Sequence, residues 1–173
     1  MLDGVRAAIR DVPDFPQPGI LFKDITPVLQ SPVLYREVVA ALVERVRTLR
    51  VDKVAVVESR GFLFGAPVAY ELGLGLVPVR KKGKLPYRTI EQSYALEYGT
   101  ATLEIHEDAF HAGDRVVIID DLLATGGTAV AAAQLVEKVG GVVAELQFLV
   151  ELTFLNGRER LARYPVFAPI AFG

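Results

Sequence analysis

With 173 residues, half of them hydrophobic (51 %), the chain is long enough for one domain with a substantial core. It has no cysteine, which excludes disulfides, thiolate catalysis and cysteine–zinc sites; its two histidines, His106 and His111, are too few for a histidine-rich metal site and are expected at the surface. A net charge of −2 argues against general nucleic-acid binding, so any anionic ligand has to be held by a local cluster of donors.

No apolar run approaches the roughly 18 residues that cross a bilayer, so no membrane contact is expected. The first twelve residues carry Asp3, Arg6, Arg10 and Asp11 and do not form the apolar stretch of a signal peptide, which makes the cytoplasm the expected compartment. One Met, one Asn and an excess of Arg over Lys hint at a thermophilic source.

There is no internal repeat, low-complexity tract or linker. Apolar runs alternate with helix-period segments, the pattern of a parallel α/β sheet. Residues 1–30 read as proline-rich and irregular. Ser31-Pro32 predicts a helix start, with Ser as N-cap and Pro in the first turn, and Tyr35, Val39, Leu42, Val46 and Leu49 follow at helical spacing. Residues 54–57 are a short buried strand. Gly61–Leu72 reads as a helix ended by Gly73. Residues 76–79 form the next strand, and Pro78 predicts an irregular or edge position. Residues 81–93 are polar and basic, a predicted loop of about a dozen residues. Period-2 material around Gly99, over 94–105, predicts a hairpin. Residues 115–119 are a buried strand, 128–139 a helix ended by Gly140-Gly141, and 142–152 another strand, bent in places. Residues 153–173 are again irregular and, with 1–30, are expected to cap the sheet.

The informative stretch is 116–128. Four branched apolar residues make a central strand, Asp120 and Asp121 stand at its carboxyl end, and Thr125-Gly126-Gly127-Thr128 opens a helix. Ligands of open α/β sheets bind at the carboxyl ends of strands. Bare N–H groups at a helix start hold phosphate, and Gly126 and Gly127 let the backbone come close to it. The hydroxyls of Thr125 and Thr128 add donors. Phosphate alone does not call for two adjacent carboxylates, whereas a ribose cis-diol does. Its hydroxyls donate to Asp120 and Asp121 while the 5′-phosphate enters the turn, each charge-assisted bond being worth roughly 1.5–3 kcal/mol. A lone Asp-Asp would read as a helix cap. The run is neither a Walker loop nor a dinucleotide fingerprint, since its residues and glycine spacing fit neither. Ser59-Arg60-Gly61, between a strand and a helix, is a second anion-binding turn, with the planar donor fork of Arg60 suited to phosphate. Its plain alternative is a surface arginine at a helix start.

The 116–128 run resembles the phosphoribosyl-pyrophosphate (PRPP) signature of the type I phosphoribosyltransferase family. The resemblance implies one α/β domain over 1–173. Its mainly parallel central sheet would be flanked by helices, with a small hood from about 1–30 and 153–173 and a mobile loop over about 81–98. Segments 15–25, 58–65, 80–86 and 93–99 resemble, in order and spacing, the adenine-using branch of that family. Ala124 stands where members acting on 6-oxopurines usually carry an aspartate facing the purine N7, which disfavours hypoxanthine and guanine. The implied reaction joins adenine to PRPP, giving AMP and pyrophosphate, with Mg²⁺ held mainly by PRPP and water rather than by protein ligands. A phosphoribosyltransferase for another purine, and a non-catalytic nucleotide-sensing regulator of the same fold, are the alternatives. The regulator predicts an added DNA-binding segment or a broad basic face, and the sequence has neither.

The resemblance also implies roles. Ala124, Thr125, Gly126, Gly127 and Thr128 would bind the 5′-phosphate, and Asp120 and Asp121 the diol. Ser59 and Arg60 would bind pyrophosphate, with a cis peptide expected at Ser59–Arg60. Of the basic run Arg80-Lys81-Lys82-Gly83-Lys84, otherwise a solvated loop, Arg80 and Lys84 are favoured for pyrophosphate. In relatives a basic residue here can reach the neighbouring subunit's site, implying a homodimer. Leu21 C=O would accept from the adenine amino group, Lys23 N–H would donate to N1, and Phe22, otherwise a core aromatic, would stack on the purine. Glu97, which could be only an exposed strand-end carboxylate, would manage the proton lost as N9 attacks C1′, and Tyr98 would seal the closed site.

Overall fold

A computed structural model describes residues 2–96 and 99–173. In chain order α1 (Asp3–Ala8), β1 (Arg10–Pro13), β2 (Leu21–Asp24), α2 (Thr26–Gln30) and α3 (Pro32–Arg47) precede β3 (Lys53–Val57), α4 (Gly61–Leu72) and β4 (Gly75–Lys81). Then come β5 (Thr89–Ala95), β6 (Thr100–His106), β7 (Arg115–Leu123), α5 (Gly127–Lys138), β8 (Val142–Leu152), α6 (Gly157–Arg160), β9 (Val166–Phe167) and β10 (Ile170–Phe172). The helices begin and end where local chemistry stops them. The Ser31 hydroxyl accepts from the Leu34 N–H at 3.3 Å, and Pro32 opens α3. Gly73, left-handed at φ 64°, closes α4 and lets the Leu74 N–H return to the Ala69 carbonyl.

The apolar runs become the interior of an eight-stranded sheet ordered β10-β8-β7-β3-β4-β6-β5, with β9 also on β8. Strands β10, β8, β7, β3 and β4 run parallel to one another; β6 joins β4 antiparallel, and β5 joins β6 antiparallel. Both faces are covered, so the central strands are apolar at every position rather than at alternate ones. Val54, Val56, Val117 and Ile119 pack with α3 and α4 on one face. Ala55, Val57, Val116 and Ile118 pack with α5 on the other. Right-handed crossovers explain this split. From β3 the chain moves to β4 through α4, and from β7 it moves the opposite way to β8 through α5. The carboxyl ends of β3 and β7 therefore meet at the topological switch point, where such sheets leave a crevice.

Several details differ from the sequence reading. The loop expected over 81–93 is only 82–88, because β4 runs on to Lys81 and β5 starts at Thr89. The expected hairpin is present as β5 and β6, in register from Thr89↔His106 to Ala95↔Thr100. Pro78 sits on a local edge. The Val79 carbonyl accepts from Glu58 on the β3 side, so the Pro78 nitrogen points away from β3, where β6 joins only from Arg80 onward. β8 carries its irregularity at Ala144, which the register skips. The ends are less irregular than expected. The first thirty residues hold two short helices and a β1–β2 ribbon, and β9 and β10 extend the sheet instead of capping it. The two ends nevertheless meet, since the Arg6 guanidinium bonds the Ala171 carbonyl and the Lys23 ammonium stands 4.3 Å from the centroid of the Phe172 ring. His111 is exposed as expected, but His106 is half-buried with Tyr87 edge-on to its ring.

Candidate active site

At the switch point the two turns enclose a cavity of about 310 Å³. From the turn after β3 it is lined by Glu58, Ser59 and Arg60; from the end of β7 and the turn that follows, by Asp120, Asp121, and residues 122–129. The cis peptide in the first turn is Glu58–Ser59, one bond earlier than the resemblance implied. The turns are packed tightly together. A Cβ on Gly61 would lie 2.7 Å from the Ile119 carbonyl and 3.0 Å from Asp120 Oδ1.

β7 is longer than the sequence suggested, so Asp120 and Asp121 belong to its last residues and Asp120 still pairs with Phe148. Successive strand residues point to opposite faces, so the carboxyls do not simply stack. Asp121 is 5 % exposed and bonds Arg60 Nε, while Asp120 Oδ1 accepts from the Asp121 N–H at 2.9 Å. Burial, and next the Asp121 charge, hold the Asp120 carboxyl well above the ordinary aspartate range. One aspartate is thus paired with an arginine, and the other is held toward its protonated form by burial and by its neighbour's charge.

The following turn is a nest for an anion. Gly126 is left-handed at φ 86° and caps α5, leaving the first-turn N–H groups of a twelve-residue helix without intrahelical partners. α6 supports it from behind. A Cβ on Gly157 would stand 2.2 Å from the Ala124 carbonyl, and one on Gly126 would stand 2.7 Å from the Gly157 carbonyl. The opposite wall includes Tyr94 of β5, whose hydroxyl accepts from Thr128 Oγ1 at 3.2 Å.

The basic run is sorted by its partners. Arg80 Nε donates to Glu58 at 3.2 Å and Arg80 Nη1 to the Lys84 carbonyl at 3.2 Å. Lys82 pairs with Glu91 at 2.9 Å. Lys81, disfavoured by the sequence reading, is the basic residue of the run that lines the cavity; Arg80 and Lys84 do not. Two carboxylates hold this segment. Glu58 accepts from the Lys81 N–H at 3.0 Å, and that bond first, then Arg80, keeps its carboxyl below the usual range against burial. Glu104, 3 % exposed, accepts from the N–H groups of Lys84 at 2.9 Å and Leu85 at 2.7 Å. Burial works to raise the Glu104 pKa, yet the backbone donors outweigh it and leave the carboxyl ionised below its usual range.

Leu21, Phe22 and Lys23 lie on β2, off the cavity wall. The Arg60 guanidinium stands 5.8 Å from the Phe22 ring centroid, and Phe15 meets that ring edge-on at 5.1 Å. Pro13 faces Leu21 in the ribbon and has no N–H, so this pair cannot exchange hydrogen bonds. By the alternation of an antiparallel ladder, Phe22 carries the bonds to β1. The Leu21 C=O and Lys23 N–H therefore point to the open edge of the two-stranded ribbon. That edge offers an acceptor and a donor side by side. Glu97 and Tyr98 lie outside the described residues. Glu58 and Tyr94 join the site without a role having been given them from the sequence, and Lys81 joins it against the preference for Arg80 and Lys84.

The phosphoribosyl transferase domain family matches residues 24–161. The chain is 60 % identical over 157 residues to the adenine phosphoribosyltransferase of Acidothermus cellulolyticus, covering 91 % of this chain and 89 % of that one. It superimposes on the crystal structure of adenine phosphoribosyltransferase from Thermoanaerobacter pseudethanolicus with a TM-score of 0.97, at 53 % identity, covering 99 % of this chain and 100 % of that one. The Saccharomyces cerevisiae enzyme, crystallised with an imino-altritol bisphosphate and adenine, matches with a TM-score of 0.91 at 42 % identity, covering 96 % and 97 %. With a switch-point cavity between two anion-binding turns and this likeness along nearly its whole length, the chain belongs to the adenine phosphoribosyltransferases of the type I phosphoribosyltransferase family.

Proposed function

We propose that the chain transfers the 5-phosphoribosyl group of PRPP to adenine, forming AMP and pyrophosphate. The observation that carries this reading is the junction of β7 and α5. There Asp120, Asp121 and the 124–128 turn line one cavity opposite Ser59 and Arg60. The 5′-phosphate rests on the N–H groups and hydroxyls of Thr125, Gly126, Gly127 and Thr128, with Ala124 beginning the turn. The ribose hydroxyls donate to Asp120 and Asp121. Ser59 and Arg60 receive the pyrophosphate, and Lys81 is the further cation on the cavity wall. Arg80 and Lys84, expected there from the sequence, act in this reading by shaping the segment that presents Lys81, or at a neighbouring subunit's site.

As pyrophosphate leaves, positive charge develops at C1′, and the carboxylates below the sugar favour it. N9 of adenine attacks the opposite face. The Leu21 C=O accepts from the 6-amino group, the Lys23 N–H donates to N1, and Phe22 stacks on the ring. Glu97 takes the proton lost from the base, and Tyr98 and the 81–98 segment close over the site to exclude water. A Mg²⁺ would draw its oxygens mainly from PRPP and water, near the hard carboxylates of Asp120 and Asp121. Bound with PRPP, it supplies neutralisation of the leaving pyrophosphate.

The reading includes a homodimer, supported by the apolar stripe of Leu63 and Tyr70, seven residues apart on the outer face of α4 and exposed by 42 % and 87 %. It includes a cytoplasmic setting; no described helix is long and apolar enough to cross a membrane. The test is to mix the protein with PRPP, Mg²⁺ and each nucleobase in turn and assay pyrophosphate. Release with adenine alone supports the reading; release only with another purine, or none at all, overturns it.

A further inference from the structure

The wall of the 5′-phosphate nest lacks a cation. Its turn, residues 124–128, is uncharged, and the basic residues lining the cavity are Arg60, bound to Asp121, and Lys81 on β4. Of the three lining carboxylates, Glu58 is paired with Arg80 and Asp121 with Arg60, so neither arginine is free for an anion entering the turn. A phosphate dianion entering such a site is favoured by the helix-start amides but meets no cation on the turn itself.

We propose that Arg160 of α6 is a further binding residue for the 5-phosphate of the sugar, a role that rests on the reading of the 124–128 turn given above. Its Nη1 comes within 3.8 Å of the place where a Cβ on Gly127 would stand. In a helix the Cα–Cβ bond tilts toward the N-terminus, so a group at that place lies beside the mouth into which the first-turn N–H groups of α5 point. The position of α6 is fixed rather than incidental. Gly157 packs without a side chain against Ala124 and Gly126, and Arg158 is anchored to Glu151 at 2.5 Å and to the Val166 carbonyl at 3.0 Å. Arg160 follows Gly157 by three residues and so shares the face of α6 that meets the turn. Arg160 is exposed and makes no ion pair with any described residue. A guanidinium kept without a carboxylate partner beside an anion nest is available for phosphate, and its planar fork can reach two oxygens at once. Tyr94 and the Ala95 carbonyl stand at the same point, 3.3 and 3.7 Å from the Gly127 Cβ position, and close the nest from the hairpin side.

The test compares wild type with Arg160→Ala and Arg160→Lys by titration calorimetry against ribose 5-phosphate, AMP and pyrophosphate with Mg²⁺, with a thermal melt as the folding control. Arg160→Ala is expected to weaken ribose 5-phosphate and AMP about tenfold, a charge-assisted contact discounted for exposure. Pyrophosphate should be unchanged, and Arg160→Lys, which keeps the charge but not the fork, should restore part of the loss. The deficit should shrink as salt rises. Wild-type affinity for ribose 5-phosphate in Arg160→Ala overturns the proposal, as does an equal loss for pyrophosphate or a loss that the lysine leaves wholly unrepaired. If the wild-type protein itself binds neither ribose 5-phosphate nor AMP, the reading of the turn fails before Arg160 is in question.

Discussion

Replacing Gly157 with alanine should damage the phosphate nest from behind. Gly157 does not adopt a positive φ, so alanine is allowed by the backbone and the cost is steric alone. Its Cβ would sit 2.2 Å from the Ala124 carbonyl oxygen and 3.1 Å from the Gly126 nitrogen, both backbone atoms of the turn. Relief requires the turn to withdraw by about 1 Å, since carbon and oxygen approach no closer than roughly 3.2 Å without repulsion. Overpacking of this kind costs about 1–3 kcal/mol of stability. A misplacement of about 1 Å at a binding turn can also cost on the order of a hundredfold in turnover efficiency. Urea unfolding and steady-state kinetics read the two effects separately. The KM for PRPP should rise while that for adenine changes little, because the Leu21–Lys23 edge is carried by a separate ribbon. Gly73→Ala is the control. Gly73 has φ +64° with nothing within 4 Å of a Cβ, so that variant should lose about 1 kcal/mol of stability and keep its PRPP kinetics. An unaltered KM for PRPP in Gly157→Ala, or the same kinetic defect in both variants, would refute the reasoning.

Asp120→Asn and Asp121→Asn should each lower turnover by roughly 10- to 100-fold, the value of one charge-assisted bond to a sugar hydroxyl, without unfolding the protein; wild-type rates in both would remove the diol assignment. The Asp120 carboxyl is held above the ordinary range by burial first and by Asp121 second, so the folded state favours its protonated form. Its contribution to stability is present below the unfolded-state pKa and lost as pH rises through the raised value. At neutral pH Asp120→Asn should therefore melt no lower than wild type, and the acid limb of the kcat/KM profile, lying above the usual aspartate range in wild type, should vanish; a lower melting point with an unmoved limb counts against this. Glu97→Gln should reduce kcat more than it alters adenine affinity, measured by single-turnover rates and by titration, and an unchanged chemical rate would leave Glu97 a structural residue.

What the sequence disclosed was written in contiguous segments. The 116–128 run carries a buried strand, its carboxylates and the turn together, and the extent of α4 matches because Gly73 closes it by purely local chemistry. Features decided by distant partners were not legible. Strand β5 alternates Ile90 and Tyr94 with polar residues, but it becomes a strand through pairing with β6, so its residues up to Ser93 passed for a loop. The short β9 and β10 owe their existence to the edge of β8. The choice among Arg80, Lys81 and Lys84 did have a signal. Val77 and Val79 are buried against the α5 face, and strand parity puts Lys81, not Arg80, on that same side, where the cavity opens. Gly157 carried no signal, because its reason is a carbonyl more than thirty residues away.

The most direct test is a crystal soaked with AMP. The account predicts the 5′-phosphate on the N–H groups of residues 125–128 and both ribose hydroxyls within hydrogen-bond reach of the paired aspartates. A nucleotide seated anywhere else, or a ribose turned away from those two side chains, contradicts it.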